Sequence, residues 1–271
     1  MSATLVEQGV DSILANATAS APTSMYLANP GEQTLRHVIE WLEPETVDCS
    51  CCVLAANDVL KSAMDDFLLA SRAADLQDVN ALGLRVRNGP PENSVLVTDD
   101  CVIALISVNG EIVGLSTDRS RFVERLLGVY ADRWDVSAPY RLRTPPLSRV
   151  RETLAAELGE SALADFDAML RWNETVSDRT NSLDEVTISL LVAAKNEALL
   201  YDISKWGEDV GIASKATFSR TKTDLEERGV IITEKVPIEV GRPRLRLKLG
   251  SERLQTSPAD EVAAAAVSSF A

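Results

Sequence analysis

One histidine, His37, is all the imidazole available to this chain of 271 residues. Acyl-transfer hydrolysis needs a base beside its nucleophile, and neither a G-x-S-x-G turn nor a second histidine is there to build one. There is no Walker A segment and no G-x-G-x-x-G loop, so the usual phosphate cradles are missing. No run of about 18 apolar residues occurs, so no membrane span is expected. No Lys or Arg precedes Arg36, which leaves a secretory signal without its basic flank and points to a cytoplasmic protein. Together these absences argue against an enzyme, and no cofactor is expected.

Cysteine is sparse but clustered: Cys49, Cys51 and Cys52 lie together and Cys101 stands apart. Cys49 and Cys52 form a C-x-x-C, a spacing that suits metal or redox chemistry. The second ligand pair of a zinc site is lacking, however, and His37 falls in a helical stretch. The run VDCSCCVL reads instead as a buried strand in which Cys serves as a small hydrophobe, so no metal is expected.

What is abundant is negative charge. The chain carries 41 Asp and Glu against 27 Lys and Arg, a net −14, and only 7 of the basic residues are lysines. Such a surface suits concentrated salt, where screening relieves self-repulsion, and suggests a halophile's cytoplasm. An ordinary acidic protein has the same composition. The charge is uneven: Asp184 to Arg253 holds 12 basic and 12 acidic residues, and Ala213 to Lys248 holds 9 against 5, or +4. A locally basic module in an acidic chain is the electrostatic footprint of a polyanion partner.

The first ~138 residues read as a mixed α/β domain with crossover helices. Leu5, Val6, Val10, Ile13 and Leu14 have helical spacing, so a helix is expected within residues 1–20. Met25 to Ala28 is a strand, Asn29-Pro30-Gly31 a turn and Glu32 to Leu42 an amphipathic helix stopped by Pro44. CCVLA is a second strand, Val59 to Ala74 a helix capped by Asn57 or Asp58, and ALGLRVR a third strand. After Gly89-Pro90-Pro91 come SVLVTDD, CVIALISV and EIVGLST, the last two joined by Asn109-Gly110, a strong hairpin signal. Asp118 or Ser120 then caps the helix RFVERLLGVYADRW. Asp65-Asp66 is expected on a solvated helix face and Asp99-Asp100 in a turn. Ligands of open α/β sheets gather beyond the C-terminal strand ends, which makes Asn29, Gly31, Asn57 and Asp58 candidates for binding a small-molecule metabolite. Turn and cap chemistry alone also accounts for these four.

APYRLRTPPL marks a boundary, and residues 139–180 form a linker and connector. Ser148 to Leu158 and Ser161 to Trp172 are expected as two short helices split by Gly159. They would pack within the chain or, alternatively, form a dimer contact. From 181 to 253 the order is three helices and a β-hairpin. Helices are expected over 184–196 and about 201–210, then a tight turn at Gly211-Ile212-Ala213. Ser214 caps a third helix that ends at Gly229. Phe218 and Leu225, seven apart, share its buried face. VIITEKVPIEVGRPRLRLKL makes two strands about a Gly241-Arg242-Pro243 tip, with Arg244, Arg246 and Lys248 on one face and Leu245, Leu247 and Leu249 on the other. This is the order of a winged helix-turn-helix, whose third helix enters the major groove of double-stranded DNA. Residues 254–271 are expected to be a tail.

SKATFSR…DLEERGVI resembles the recognition helix of prokaryotic winged-helix repressors, in which a Ser/Lys/Thr start leads to L-E-E-x-G and a strand. With its acidic α/β N-terminal part, the chain resembles the haloarchaeal transcriptional regulator family TbsP. That resemblance implies DNA binding, control of central carbon metabolism genes and an N-terminal sensing domain. The N-terminal part is also similar to the phospholipase-D-like sensor domains of sugar-responsive archaeal regulators. It lacks the H-x-K motif of their enzymatic relatives, because Val38 and Ile39 follow His37.

Lys215, Thr217, Ser219 and Arg220 are the candidates for reading bases, Arg being the usual partner of guanine. Thr223 joins them on the exposed surface, while Ser214 and Lys222 suit phosphate and Arg242 and Arg244 suit the backbone or minor groove. Two half-sites call for a homodimer. The competing reading is a winged helix that binds protein or oligomerises without specific DNA contacts.

Overall fold

The computed structural model describes residues 6–42, 49–89, 92–109, 111–176, 182–238 and 243–270. The chain divides into two compact units, Met1–Pro146 and Leu147–Ala271. The expected Pro44 stop, the Gly110 half of the hairpin turn and the wing tip from Glu239 to Arg242 lie outside the described residues.

The first unit runs β1 (Val6–Gln8), α1 (Val10–Thr18), β2 (Ser24–Ala28), α2 (Glu32–Trp41), β3 (Ser50–Ala55), α3 (Asn57–Met64) and α4 (Phe67–Asp78). It continues with β4 (Leu82–Val86), β5 (Val95–Val97), β6 (Val102–Val108), β7 (Glu111–Thr117), α5 (Ser120–Val136) and β8 (Ala138–Pro139). These strands form one sheet in the order β1-β7-β6-β5-β2-β3-β4-β8. β2, β3 and β4 are parallel, as their crossover helices require. The remaining pairings are antiparallel. In the β6–β7 hairpin Val108 faces Glu111 across a two-residue loop, and Asn109 sits at φ +52°, the left-handed geometry such a loop demands.

Helices cover both faces of the parallel strands. Ile13, Leu35, Leu60 and Leu76 pack with Leu27, Val53 and Leu84 on one side. Val123 and Tyr130 of α5 pack with Ala28, Leu54, Val97 and Val102 on the other. Three expectations need correction. Val6–Gln8, assigned to the first helix, is a strand on β7, and the helix starts after Gly9 at φ +84°. The single helix Val59–Ala74 is two helices. Asp66 separates them: it accepts the Leu69 amide at 3.1 Å as the cap of α4 and pairs with Arg36 at 3.0 Å, so it is half-buried, while Asp65 is exposed as expected. Two expected caps are absent: α3 is preceded by Ala56, with Asn57 and Asp58 inside its first turn, and α5 by Arg119, and neither position makes a side-chain cap bond.

The cysteines sit in and beside the sheet. Cys51 is fully buried in β3, Cys49 is buried just before it, and all four are free thiols. Burial pushes the Cys49 thiol from 9.0 up to about 11, with the Asp99 carboxylate adding to the effect. Burial likewise raises Cys51, Cys52 and Cys101. These are protonated packing groups. Because the folded state holds the Cys49 proton more tightly than the unfolded chain, this group's contribution to stability is present below about pH 9 and is lost as pH rises toward 11. Alkaline melts of the parent should therefore fall more steeply above pH 9 than those of Cys49→Ala, and equal slopes would contradict this.

The second unit comprises α6 (Leu147–Leu158), α7 (Glu160–Thr175), α8 (Glu185–Lys195), α9 (Leu200–Val210), α10 (Lys215–Glu227), β9 (Ile231–Val236), β10 (Arg244–Leu249), α11 (Glu252–Thr256) and α12 (Ala259–Ser268). α8 is its centre, buried from Val186 to Ala194. α6 packs on α7 and α9, and Trp206 donates from Nε1 to Thr153 Oγ1 at 2.9 Å. The stretch 139–180 is thus shared: β8 pairs with β4 in the first unit, and α6 and α7 belong to the second. The expected tail is not loose either. α12 packs on α7 and α8 with Val262, Ala263 and Ala266 fully buried. No helix among the described residues is long and apolar enough to cross a membrane.

Candidate functional site

α9, the turn and α10 form a unit whose geometry follows from a few residues. Gly211 ends α9 at φ +96°, and the Gly207 carbonyl accepts from the amides of Gly211, Ile212 and Ala213. Ser214 Oγ accepts the Thr217 amide at 3.2 Å and so caps α10. Phe218 and Leu225 are fully buried behind it, and Gly229 turns the chain at φ +70° into β9. The bond pattern Arg244↔Val236 through Leu249↔Ile231 fixes the wing. Leu247 and Leu249 enter the core, and Leu199 bridges to Arg246 from the far side of β10.

Anchoring one face of α10 presents the other. Lys215, Ser219, Arg220 and Thr223 are exposed along it, while Thr217 is half-buried with its hydroxyl 3.0 Å from Ser214 Oγ. Lys222 is turned away from this face. Its Nζ lies 2.6 Å from Glu226, which also accepts from Thr233 at 2.7 Å, so Lys222 ties α10 to β9 and is not presented as a phosphate contact. Arg242 lies outside the described residues. Arg244 is the first residue of β10, its guanidinium 4.4 Å over the Tyr201 ring and 3.6 Å from Asp202.

Carboxylates from outside 213–248 lower the free positive charge below +4: Lys215 meets Glu208 at 2.8 Å and Lys248 meets Glu197 at 3.7 Å. Within the stretch, Arg228 meets Asp224 at 2.9 Å and Lys248 meets Glu234 at 2.8 Å. The Lys215 hydrogen bond holds the Glu208 carboxyl below the usual carboxylate range, and Glu208 raises Lys215 in return. These pairs are exposed, so each contributes little to stability. Their partners Tyr201, Asp202 and Glu208 come from α9, and no spacing rule in the sequence connects them to the third helix.

The four N-terminal candidates part company. Asn29 stands at φ +51° beyond β2, donates from Nδ2 to Asn93 O at 3.2 Å, and lines a cavity of about 120 Å³ with Arg87, Tyr130 and Arg133. Gly31 is the exposed cap position of α2, and Asn57 and Asp58 are exposed on the first turn of α3. None of these three lines that cavity. Arg87 joins Asn29 from just beyond the end of β4, and Tyr130 and Arg133 come from α5, positions not singled out in the sequence.

Residues 2–145 match the family model described as "Transcriptional regulator TbsP-like, N-terminal", and residues 146–267 match "Transcriptional regulator TbsP-like, C-terminal HTH domain". The chain belongs to the TbsP-like transcriptional regulator family. The boundary between the two TbsP-like models falls one residue before the structural division at Pro146 and Leu147. This regulator therefore joins a mixed α/β unit to a helix-turn-helix unit. No protein of curated function matches it. Among solved structures, TrmBL2, an archaeal chromatin protein whose structure "shows a novel mode of DNA binding", is 12% identical with a TM-score of 0.34. The match covers 51% of this chain and 54% of that one, so the TbsP-like chain spans about half the TrmBL2 chain. Nuc from Salmonella typhimurium, a phospholipase D family member, is 13% identical over 52% of this chain and 99% of its own, with a TM-score of 0.39. NucT from Helicobacter pylori is 12% identical over 51% and 100%, with a TM-score of 0.33. Likenesses this distant carry no weight for function.

Proposed function

We propose that this regulator is a cytoplasmic homodimer that binds promoter DNA through α10 and its wing. In this reading the first unit senses a metabolite, and the targets are genes of central carbon metabolism. The observation that carries DNA binding is the exposed row Lys215, Ser219, Arg220 and Thr223 on a helix pinned from behind by Phe218 and Leu225. A helix held in this way sets its N-terminal half against base edges in a major groove. Arg220 is the guanine reader, with Lys215, Thr217, Ser219 and Thr223 beside it. Ser214 and the wing residues Arg242 and Arg244 meet phosphate. Lys222 supports the helix through Glu226.

Two half-sites require two copies, and the outer end of β6 offers an uncovered apolar margin at Ile106 and Val108. The acidic surplus suits a salt-rich cell. The second reading, a winged helix that docks protein, draws on the basic residues already neutralised by α9 and β9.

Chromatin immunoprecipitation in the native host decides between the two. The DNA reading expects discrete promoter peaks. It expects Arg220→Ala to erase them and to cost about 1–3 kcal/mol of binding to the recovered site in vitro. An unchanged melting temperature would show that the variant is folded. A flat genomic profile, or peaks indifferent to Arg220→Ala, would favour protein docking.

A further inference from the structure

Two cavities of the first unit meet at Glu92 and Tyr130, which line both. The smaller has a mixed lining: Asn29, Arg87, Asn88, Arg133 and Ser137 supply its polar groups beyond the ends of β2 and β3, beside Ala28, Leu54 and Val136. The larger, about 490 Å³ and open, is walled by Val95, Val102, Ala104, Phe122 and Leu126 between α5 and the antiparallel strands. Together they fall within the ~300–1,000 Å³ usual for small-molecule sites. We propose that they form one binding site for a small amphipathic anion, with its phosphate or carboxylate head at Arg87 and Arg133 and its apolar body against Phe122 and Leu126. This proposal rests on the reading of the first unit as a sensor and names the class of ligand sensed.

Two guanidiniums border the polar end: Arg87, which donates to the Gly89 carbonyl at 2.6 Å, and Arg133, which is paired with Glu92. Glu92 makes a two-pronged contact with Arg133, 2.5 Å from Nη1 and 3.0 Å from Nη2. This is how a guanidinium grips a carboxylate or phosphate from solution. The contact holds the Glu92 carboxyl below its usual range, Arg133 acting first and Arg87 adding to it. Arg133 also lies 5.3 Å over the Tyr130 ring, which fixes its direction. Glu92 and Arg133 are 40% and 43% exposed, so the pair can open without unpacking the core. Glu92 stands where the ligand's anion would bind, and binding is an exchange of one oxyanion for another on Arg133.

A second observation concerns Asn29, which lines the smaller cavity. The Asn29 Oδ1 atom is buried and has no hydrogen-bond partner among the described residues. An acceptor left this way is costly unless a donor arrives, and a hydroxyl next to the ligand's head group would supply one. Asn29 also holds the Asn93 carbonyl, so the loop carrying Glu92 and Asn93 into β5 feels both events. Occupancy would reach the sheet through this loop.

Calorimetry on the full chain tests this with hexyl phosphate and hexanoate as probes, and with inorganic phosphate, hexanol and glucose for comparison. At least one six-carbon anion should bind roughly tenfold more tightly than either phosphate or hexanol alone, since each of those lacks half of the interaction. Arg133→Gln should weaken that binding about tenfold or more, the loss of one charge-assisted contact. Glu92→Gln should tighten it, because the internal competitor is gone. Glucose bound as tightly as the anions, no heat from either anion, or weaker binding in Glu92→Gln would each overturn the proposal. Variants are compared only where their melting temperature matches the parent's. Affinity for promoter DNA is measured on the same samples: DNA binding without anion binding defeats this proposal alone, while anion binding without DNA binding defeats only the DNA reading.

Discussion

Gly207→Ala is expected to destabilise the second unit by about 3 kcal/mol and to abolish DNA binding with it. Gly207 lies inside α9, where an alanine would normally gain roughly 0.5–1 kcal/mol from helix propensity. Packing reverses that sign. A Cβ on Gly207 would sit 2.3 Å from both Cε2 and Cζ of Phe218, and Phe218 is fully buried with no free side to retreat to. Either α9 and α10 move apart or the ring leaves its rotamer. Both disturb the turn, because three amides of that turn bond to the Gly207 carbonyl. Gly128→Ala is the matched control: Gly128 is a helical glycine of α5, and an added Cβ meets nothing within 4 Å. Calorimetric melts should show the second unit's transition lowered by roughly 10 °C in Gly207→Ala and the first unit's unmoved or slightly raised in Gly128→Ala. Equal, small shifts in both would mean that α9 and α10 are not closely packed at this point.

Val262→Asp should have an effect of similar size, on a helix with no part in the proposed DNA contact. Val262 is fully buried where α12 lies against α7 and α8. An aspartate there would have to keep an unpaired charge out of water or bind a proton, and breaking this kind of burial costs about 3–5 kcal/mol. Glu261→Gln, one residue away and exposed, should stay within roughly 0.5 kcal/mol. Chemical denaturation of the two variants separates the outcomes. A Val262→Asp protein as stable as the parent would mean that α12 is a detachable appendage.

How far these features were legible in the sequence depends on how local their causes are. The third helix was readable because its cap Ser214, its anchors Phe218 and Leu225 and its stop Gly229 all act within one element. The β6–β7 hairpin was readable for the same reason, with Asn109 committing the chain to a left-handed turn. Val6–Gln8 misled because Leu5 and Val6 fall in helical spacing with Val10, Ile13 and Leu14, and only the distant edge of β7 decides in favour of a strand. Residues 254–271 looked like a tail because small apolar residues such as Ala263 and Ala266 carry little hydrophobic signal until a neighbouring helix is there to meet them. The cavity was only half visible. Asn29 follows from the strand-end rule, but Arg87, Glu92, Tyr130 and Arg133 are gathered from separate elements by a fold that brings α5 across the sheet. The pairing of Lys222 with Glu226 could be read as a helix-surface contact, yet its burial against Thr233 depends on β9.

The carboxylates of α9 and β9 have a consequence for how such a protein searches. If α10 docks as proposed, Lys215 and Arg244 reach DNA only by leaving Glu208 and Asp202, and Lys248 stays tied to Glu234. A random stretch of duplex offers charge alone, and charge is what these lysines and arginines already have at home. A stretch with the right base edges adds contacts that no internal partner imitates. Self-neutralisation would thus tax indiscriminate sticking more than correct docking, leaving the molecule mobile along the genome until it meets its operator.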